Sequence, residues 1–226
     1  MGIRPEVLPF IGVAVAVGMV VALVCGFTAG TWAKGGWSGA IVAAVLALYL
    51  AYFFRDPERT SPTDPSIVVA GADGTIANVV DVVEPKYLKT EAVRVSIFLS
   101  LFDVHVNRAP IEGMSTFLGY FPGKHIFTFR EKSSDYNQHN AILIEGQGTR
   151  CLVTQIVGPV ARRVVYWLDH SRPVKVEKGT RIGMMKFGSR LDMYFPRNEV
   201  EIRVRVGDKV RAGETVVAVL RKERPS

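Results

Sequence analysis

The chain has 226 residues, with 28 basic and 21 acidic side chains and a formal net charge of +7. This length fits one or two domains, and a hydrophobic content of 48% excludes a wholly disordered or collagen-like chain. The hydrophobic residues are unevenly distributed, because residues 8–32 and 37–54 contain no charged side chain. These stretches are close to the roughly 20 apolar residues that cross a bilayer, so a wholly soluble protein is excluded as well.

The two apolar stretches predict a membrane-anchoring helical hairpin over residues 1–54, with both ends on one side. A signal peptide is the alternative, but its apolar region is only about 7–15 residues long. Arg4 before the hairpin, and Arg55 and Arg59 after it, place those ends in the cytoplasm by the positive-inside rule, although Lys34 in the turn weakens the asymmetry. We therefore expect a protein of the cytoplasmic membrane whose catalytic domain lies on the cytoplasmic face.

The composition changes after the hairpin. Residues 55–66 are charged and rich in proline, which is typical of a linker. Residues 67–226 contain short β-branched runs separated by Gly and Asp, so we predict a mostly β domain, a compact barrel or sandwich with few helices. The predicted strands are residues 67–70, 75–83, 92–99, 141–144, 151–157, 163–167 and 201–206.

A short motif, Lys-Val-x-x-Gly-x-x-Ile/Val, occurs at residues 175–182 and again at 209–216. We expect each copy to form a turn between two strands, with its glycine, Gly179 or Gly213, at a positive φ. The second copy resembles the hammerhead turn of lipoyl- and biotinyl-type barrels. A carrier function does not follow, because no lysine interrupts residues 73–79, the segment that resembles the opposing strand, to hold a swinging cofactor.

The chain has two cysteines, Cys25 in the first apolar stretch and Cys151 in a strand-like stretch. We predict that they are unpaired and that the folded domain lies in a reducing compartment. No Cys-x-x-Cys occurs, which excludes a thiolate metal site, and no metal is expected. The basic excess suits an anionic lipid surface, and no nucleic-acid partner is expected.

Three short stretches carry residues capable of chemistry: residues 71–74 with Asp73, residues 102–110 with His105, and residues 186–190 with Ser189. Each has an ordinary explanation by itself. Asp-Gly is typical of a turn, a histidine between valines is often a buried strand residue, and Gly-Ser is common in loops. Gly188–Ser189 is, however, the only Gly-Ser step in the chain.

Taken together, these motifs resemble the phosphatidylserine decarboxylase family in its short, membrane-tethered form. The most specific segments are Asp-Val-His-Val-Asn-Arg-Ala-Pro-Ile-Glu-Gly at residues 103–113 and Phe-Gly-Ser-Arg-Leu-Asp-Met-Tyr-Phe-Pro at residues 187–196. The resemblance implies self-cleavage between Gly188 and Ser189. Fragments 1–188 and 189–226 would stay together as a heterodimer, and Ser189 would become a covalent pyruvoyl cofactor.

The same resemblance implies conversion of phosphatidylserine to phosphatidylethanolamine with release of CO2. A Schiff base between the pyruvoyl group and the serine amine would provide the electron sink, without pyridoxal phosphate. The implied partners are phosphatidylserine and anionic membrane lipid, and a homo-oligomer is left open. Candidate ligands of the lipid phosphate are Arg108, Arg130, Lys132 and Arg190.

Self-cleavage needs a base that removes the Ser189 proton while the serine oxygen attacks the Gly188 carbonyl. A glycine at position 188 lets the backbone adopt the strained geometry of that attack. His105 is the candidate base, and Asp73 would orient its ring as in a Ser-His-Asp triad.

One departure from the family leaves the identity of the base open. Longer bacterial relatives carry a second histidine three positions after the first, where this chain has Arg108. His125, His139 and His170 therefore remain alternatives to His105. Residues 120–129, which include His125, are mostly apolar. They either form a loop that contacts the lipid head groups or belong to an ordinary core strand.

Two other classes of protein account for part of the pattern. A non-enzymatic membrane adaptor explains the anchor and the hammerhead turn, but not residues 103–110 or the Gly188–Ser189 step. A serine hydrolase that uses Ser189, His105 and Asp73 directly lacks the Gly-x-Ser-x-Gly motif around its nucleophile.

Overall fold

The computed structural model describes residues 2–28, 30–124, 126, 128, 133–158, 164–186 and 189–221. Side chains of residues 33–35, 133 and 135 lie outside this description. The chain divides into two units, Met1–Glu58 and Arg59–Ser226.

The first unit is the predicted helical hairpin. It contains α1 (Leu8–Thr28) and α2 (Trp32–Phe53), both long and apolar enough to cross a membrane. The helices approach closely where small residues face each other, since a Cβ added at Gly18 would lie 2.7 Å from the Cβ of Ala43. β1 (Gly2–Ile3) pairs with β2 (Arg55–Asp56), which brings the two ends of the hairpin together as predicted.

The second unit is mostly β, as predicted. All seven predicted strands are present with shifted ends, and one short helix occurs in the described part of this unit, α3 (Ser133–Tyr136). Its strands are β3 (Ile67–Val69), β4 (Gly74–Glu84), β5 (Thr90–Leu99), β6 (Val106–Arg108), β7 (Gly113–Phe121), β8 (His139–Glu145), β9 (Arg150–Val157), β10 (Val164–Tyr166), β11 (Val174–Val176), β12 (Arg181–Met185), β13 (Ser189–Pro196), β14 (Val200–Ile202), β15 (Lys209–Val210) and β16 (Val216–Leu220).

These strands form three antiparallel sheets. The largest has the order β11-β7-β8-β9-β13-β5-β4-β15, and two smaller sheets have the orders β10-β12-β6 and β14-β16-β3. The main core contains one face of the large sheet together with residues of both small sheets, such as Ile182 and Val217. The fold is therefore a sandwich in which β6 and β12 lie against the inner face of the large sheet.

Strand β13 lies in the middle of the large sheet, between β9 and β5. Its side chains alternate with the two-residue period of a strand. Leu191, Met193 and Phe195 enter the main core, where burial of each contributes about 1.5–3 kcal/mol. Tyr194 lies on the other face, which we call the outer face, and packs against a second buried cluster around Leu88.

The two copies of the repeated motif form neighbouring turns. Gly179 has a φ of 83° and Gly213 a φ of 76°, which confirms the predicted left-handed positions. Ser61 donates a 2.6 Å hydrogen bond to the Gly213 carbonyl, and Arg108 donates one of 3.0 Å to the Gly179 carbonyl. Both turns are thus held by side chains from outside the repeat.

Both cysteines are free thiols, as predicted. Cys151 is fully buried in the main core, and this burial raises the pKa of its thiol well above the usual range. It therefore acts as a small apolar side chain.

A buried ion pair directly follows Ser189 along β13. Arg190 and Asp192 are both fully buried, and Nε of Arg190 lies 2.7 Å from Oδ1 of Asp192. The hydroxyl of Ser134 donates to the same carboxylate. Arg190 is therefore engaged inside the protein, which argues against its predicted role as a ligand of the lipid phosphate.

We expect Asp192→Asn to lower the free energy of unfolding by about 3–5 kcal/mol, because Arg190 would keep a buried charge without a compensating carboxylate. Urea unfolding of the uncleaved Ser189→Ala chain in detergent would measure this loss. The double variant Arg190→Met/Asp192→Leu should recover most of the lost stability. Equal stability of Asp192→Asn and its parent would contradict this role of the ion pair.

Candidate active site

Ser189 begins β13 and lies at a central position of the large sheet. Its Cα is in register with Leu99 of β5 on one side and with Val157 of β9 on the other. The side chain is fully buried on the core face, and its Oγ has no hydrogen-bond partner among the described residues. Such an unsatisfied buried hydroxyl costs about 1–3 kcal/mol, which marks it as a candidate reactive group. Gly188, the other half of the predicted cleavage site, lies outside the described residues.

His105 lies in the segment that joins β5 to β6 and is fully buried. Its Nδ1 is 2.9 Å from the backbone carbonyl oxygen of Asp103. A carbonyl oxygen accepts but cannot donate, so Nδ1 carries the proton and Nε2 is the basic nitrogen. The Asp103 carboxylate in turn accepts hydrogen bonds from the amide and hydroxyl of Ser100, which fixes the turn before the histidine.

Two connecting segments bring His105 and Ser189 into one region. The β5–β6 connection starts at Leu99, which is in register with Ser189, and leads to His105. The β12–β13 connection starts at Met185, whose amide donates to the His105 carbonyl oxygen at 3.2 Å, and leads to Ser189. Four residues of backbone span at most about 14 Å, so Ser189 lies within about 14 Å of Met185. The Met185 amide is in turn hydrogen-bonded to His105.

Asp73 is mostly buried, and its two carboxylate oxygens have partners other than the histidine ring. Oδ2 lies 2.8 Å from Nη2 of Arg59, and Oδ1 accepts a 2.8 Å hydrogen bond from the Ala212 amide. Burial raises the pKa of the Asp73 carboxyl, although the Ala212 amide and Arg59 oppose the shift. Arg59 also pairs with Glu214 at 2.8 Å, so Asp73 is tied to the second repeat turn.

Of the three alternative histidines, the structure describes His139 and His170. His139 is in register with Ile156, which is in register with Arg190, so its side chain lies on the outer face, opposite Ser189. It lines a cavity of about 520 Å³ there. The ring of His170 packs against that of Phe117, with the two ring centroids 4.4 Å apart. His125 lies outside the described residues.

The structure describes some of the other residues that were predicted to contact lipid. Arg108 is buried, and its guanidinium donates a hydrogen bond to the Gly179 carbonyl oxygen. These contacts argue against a role in binding the lipid phosphate. Arg130 and Lys132 lie outside the described residues. In the apolar stretch 120–129, Tyr120 is 53% exposed and ends β7 together with Phe121, which packs on the outer-face cluster.

Three buried amide side chains near Ser189 were not predicted. Gln155 Nε2 donates to Oδ1 of Asn107 at 2.7 Å, and Asn140 Nδ2 donates to Oε1 of Gln155 at 3.3 Å. Gln155 is the one amide side chain in β9 and follows a run of apolar and small residues, and Asn107 follows His105 by two positions. These positions were the available signal in the sequence, but their pairing depends on the sandwich.

A fully buried serine hydroxyl, a buried imidazole and a chain of amides therefore lie in one region of a β-sandwich that follows an apolar helical hairpin in the sequence. Comparison with known proteins shows the family of the chain. The family model described as phosphatidylserine decarboxylase matches residues 46–218. A phosphatidylserine decarboxylase proenzyme of Carboxydothermus hydrogenoformans is 42% identical over 181 residues, which cover 80% of this chain and 84% of that protein.

Two further relatives cover almost the whole chain. Phosphatidylserine decarboxylase proenzymes of Symbiobacterium thermophilum and Beijerinckia indica are 38% and 39% identical to it. The matches cover 96% and 99% of this chain, and 95% and 91% of those proteins. The chain belongs to the phosphatidylserine decarboxylase family. This membership confirms the resemblance and favours a decarboxylase over the adaptor and the serine hydrolase.

Proposed function

We propose that the chain is a self-processing enzyme that converts phosphatidylserine to phosphatidylethanolamine and CO2. The observation that carries this proposal is Ser189, a fully buried hydroxyl without a hydrogen-bond partner in the described structure, at the predicted cleavage position of a chain in this family. The relatives are named proenzymes, which supports cleavage of the chain into the two fragments 1–188 and 189–226.

Self-cleavage begins when Ser189 Oγ attacks the Gly188 carbonyl carbon while His105 Nε2 removes the hydroxyl proton. The C–N bond then breaks, the nitrogen takes a proton, and Gly188 becomes an ester of the serine oxygen. Loss of the proton on Cα and departure of the Gly188 carboxylate leave dehydroalanine at position 189. Water then replaces its nitrogen, which leaves as ammonia, and a pyruvoyl group remains.

The site fits such a group. A keto oxygen has no hydrogen to donate, so conversion of Ser189 removes the buried hydroxyl donor that lacks a partner. When bound to substrate, a pyruvoyl group supplies an electron sink for the charge left by departing CO2. The backbone of position 189 would be held by its neighbours in register, Leu99 and Val157.

His105 serves both stages in this proposal. Its Nδ1 stays bonded to the Asp103 carbonyl, so Nε2 accepts the serine proton during self-cleavage and returns a proton to the substrate Cα after CO2 leaves. We propose Asp73 as the acidic positioning residue of the site. Its contacts to Arg59 and Ala212 support an action through the fixed geometry of the surrounding turns rather than a direct bond to the imidazole.

A test of the activity uses the full chain in detergent with phosphatidylserine labelled at the serine carboxyl carbon. We expect release of labelled CO2, and loss of that activity after borohydride reduction, because reduction of the keto group removes the electron sink. Activity that survives complete reduction would contradict the pyruvoyl mechanism.

The hairpin places the enzyme at the membrane of its substrate. Phosphatidylserine leaves a bilayer only at high cost, because each buried CH2 contributes about 0.8 kcal/mol. We propose that the hairpin of α1 and α2 anchors the chain in the cytoplasmic membrane, with the β unit on the cytoplasmic face and in contact with anionic lipid. Arg4 and Arg55 at the paired ends of the hairpin support this orientation.

Deletion of residues 1–54 should leave self-cleavage intact, because the proposed chemistry lies within the β unit. Decarboxylation of phosphatidylserine in vesicles should fall much further than decarboxylation of a short-chain, water-soluble phosphatidylserine. Parallel assays of the two substrates measure this difference. An equal loss on both would show that the hairpin is required by the fold rather than as a tether.

A further inference from the structure

The three amides near Ser189 form a chain of hydrogen bonds with one direction. Asn140 donates to Gln155, and Gln155 donates to Asn107. Because Oδ1 of Asn107 accepts from Gln155, the Nδ2 group of Asn107 is the donor at the end of the chain. This Nδ2 is buried and has no hydrogen-bond partner among the described residues.

The middle amide of this chain of hydrogen bonds is a neighbour of Ser189, the proposed nucleophile. Gln155 is in register with Leu191, which makes Ser189 its diagonal neighbour on the core face of the large sheet. Asn107 is opposite Gly183 in the smaller sheet, two residues after His105. A Cβ at Gly183 would lie 2.9 Å from Gln155 Nε2, so the missing side chain leaves room for the amide contact between the sheets.

The Asn107 amide and the Ser189 hydroxyl are therefore two unsatisfied buried groups that both adjoin Gln155, one through a hydrogen bond and the other as its diagonal neighbour in the sheet. A buried donor without a partner costs about 1–3 kcal/mol, and such groups are often retained for chemistry. The attack of Ser189 creates a matching acceptor, because negative charge develops on the Gly188 carbonyl oxygen. A fixed donor is most effective against such charge in a site that excludes water.

We infer that Asn107 is a further catalytic residue, which donates its Nδ2 hydrogen to the Gly188 carbonyl oxygen during self-cleavage. Gln155 is a positioning residue, since it fixes the orientation of the Asn107 amide, and Asn140 fixes Gln155. This inference rests on the proposed self-cleavage. It adds an electrostatic role that neither His105 nor Asp73 provides.

The test follows processing of the freshly synthesised full chain by intact mass, with the melting temperature as a measure of folding. Asn107→Leu keeps a similar volume and should slow cleavage by about 10²-fold, the typical effect of losing one such donor. Gln155→Leu leaves the Asn107 amide unanchored and should slow cleavage by a smaller factor. Thr154→Val is the matched control, because Thr154 precedes Gln155, faces the outer side and also has an unpartnered hydroxyl in the described structure.

Hydroxylamine separates the catalytic step from a purely structural effect. It cleaves the ester that follows the serine attack, so it should not accelerate Asn107→Leu if the attack itself is slow. Wild-type cleavage in folded Asn107→Leu would overturn the inference, as would an ester that accumulates in this variant and is cleaved by hydroxylamine. If Asn107→Leu fails to fold, normal cleavage in folded Gln155→Leu would overturn it. A wild-type chain that stays uncut would instead refute the proposed function.

Discussion

Ser189→Ala should remain a single chain of 24.9 kDa and should release no CO2 from phosphatidylserine. The substitution removes the oxygen that attacks Gly188 and the atoms from which the keto group would form, so both stages stop together. Because it deletes only a hydroxyl without a hydrogen-bond partner in the described structure, the melting temperature of the precursor should not fall. Intact mass and a decarboxylation assay on the same sample measure both effects.

Ser96→Ala is a matched control. Ser96 is also fully buried in the large sheet, and its hydroxyl likewise has no hydrogen-bond partner among the described residues. Ser96 is in register with Asp192, however, so its side chain lies on the outer face of the sheet, opposite that of Ser189. Normal processing of Ser96→Ala and none of Ser189→Ala is the expected pair of results. Cleavage of Ser189→Ala at the same bond would contradict the proposed nucleophile.

His105→Ala should slow self-cleavage by about 10²–10⁴-fold, the usual contribution of a general base. The variant should accumulate as folded precursor, which a time course of intact mass would detect. His139→Ala is the control, because His139 lies on the outer face and its loss should leave the rate unchanged. Normal cleavage in His105→Ala would transfer the role of base to another histidine, with His125 tested next.

The sequence was sufficient to predict the architecture because its signals are local. Uncharged stretches predicted the hairpin, and β-branched runs predicted seven strands of the β unit. Strands β6 and β7 escaped prediction, β6 because three residues carry too little pattern to be distinguished from a loop, and β7 because Gly113 and Gly119 interrupt its pattern. The positive φ of Gly179 and Gly213 was predictable because the two turns share one motif.

The burial of single side chains and the contacts between distant segments were not predictable from the sequence. The ion pair of Arg190 and Asp192 depends on a covered outer face, although an isolated Arg-x-Asp is typical of an exposed strand. Asp73 was expected to face the histidine, whereas the sandwich gives it Arg59 and the Ala212 amide. The contact of Gln155 with Asn107 joins two sheets and needs the space above Gly183. The burial of the ion pair and the two longer-range contacts follow from the tertiary fold rather than from a spacing in the sequence.

Intact mass of the purified full-length chain under denaturing conditions tests the central claim most directly. We predict two species, residues 1–188 and a small fragment that begins at position 189. The small fragment should be lighter, by one ammonia, than the same peptide with an N-terminal serine, because the nitrogen of Ser189 is lost when the keto group forms. A single species of 24.9 kDa with Ser189 intact, in a preparation that decarboxylates phosphatidylserine, would contradict the account.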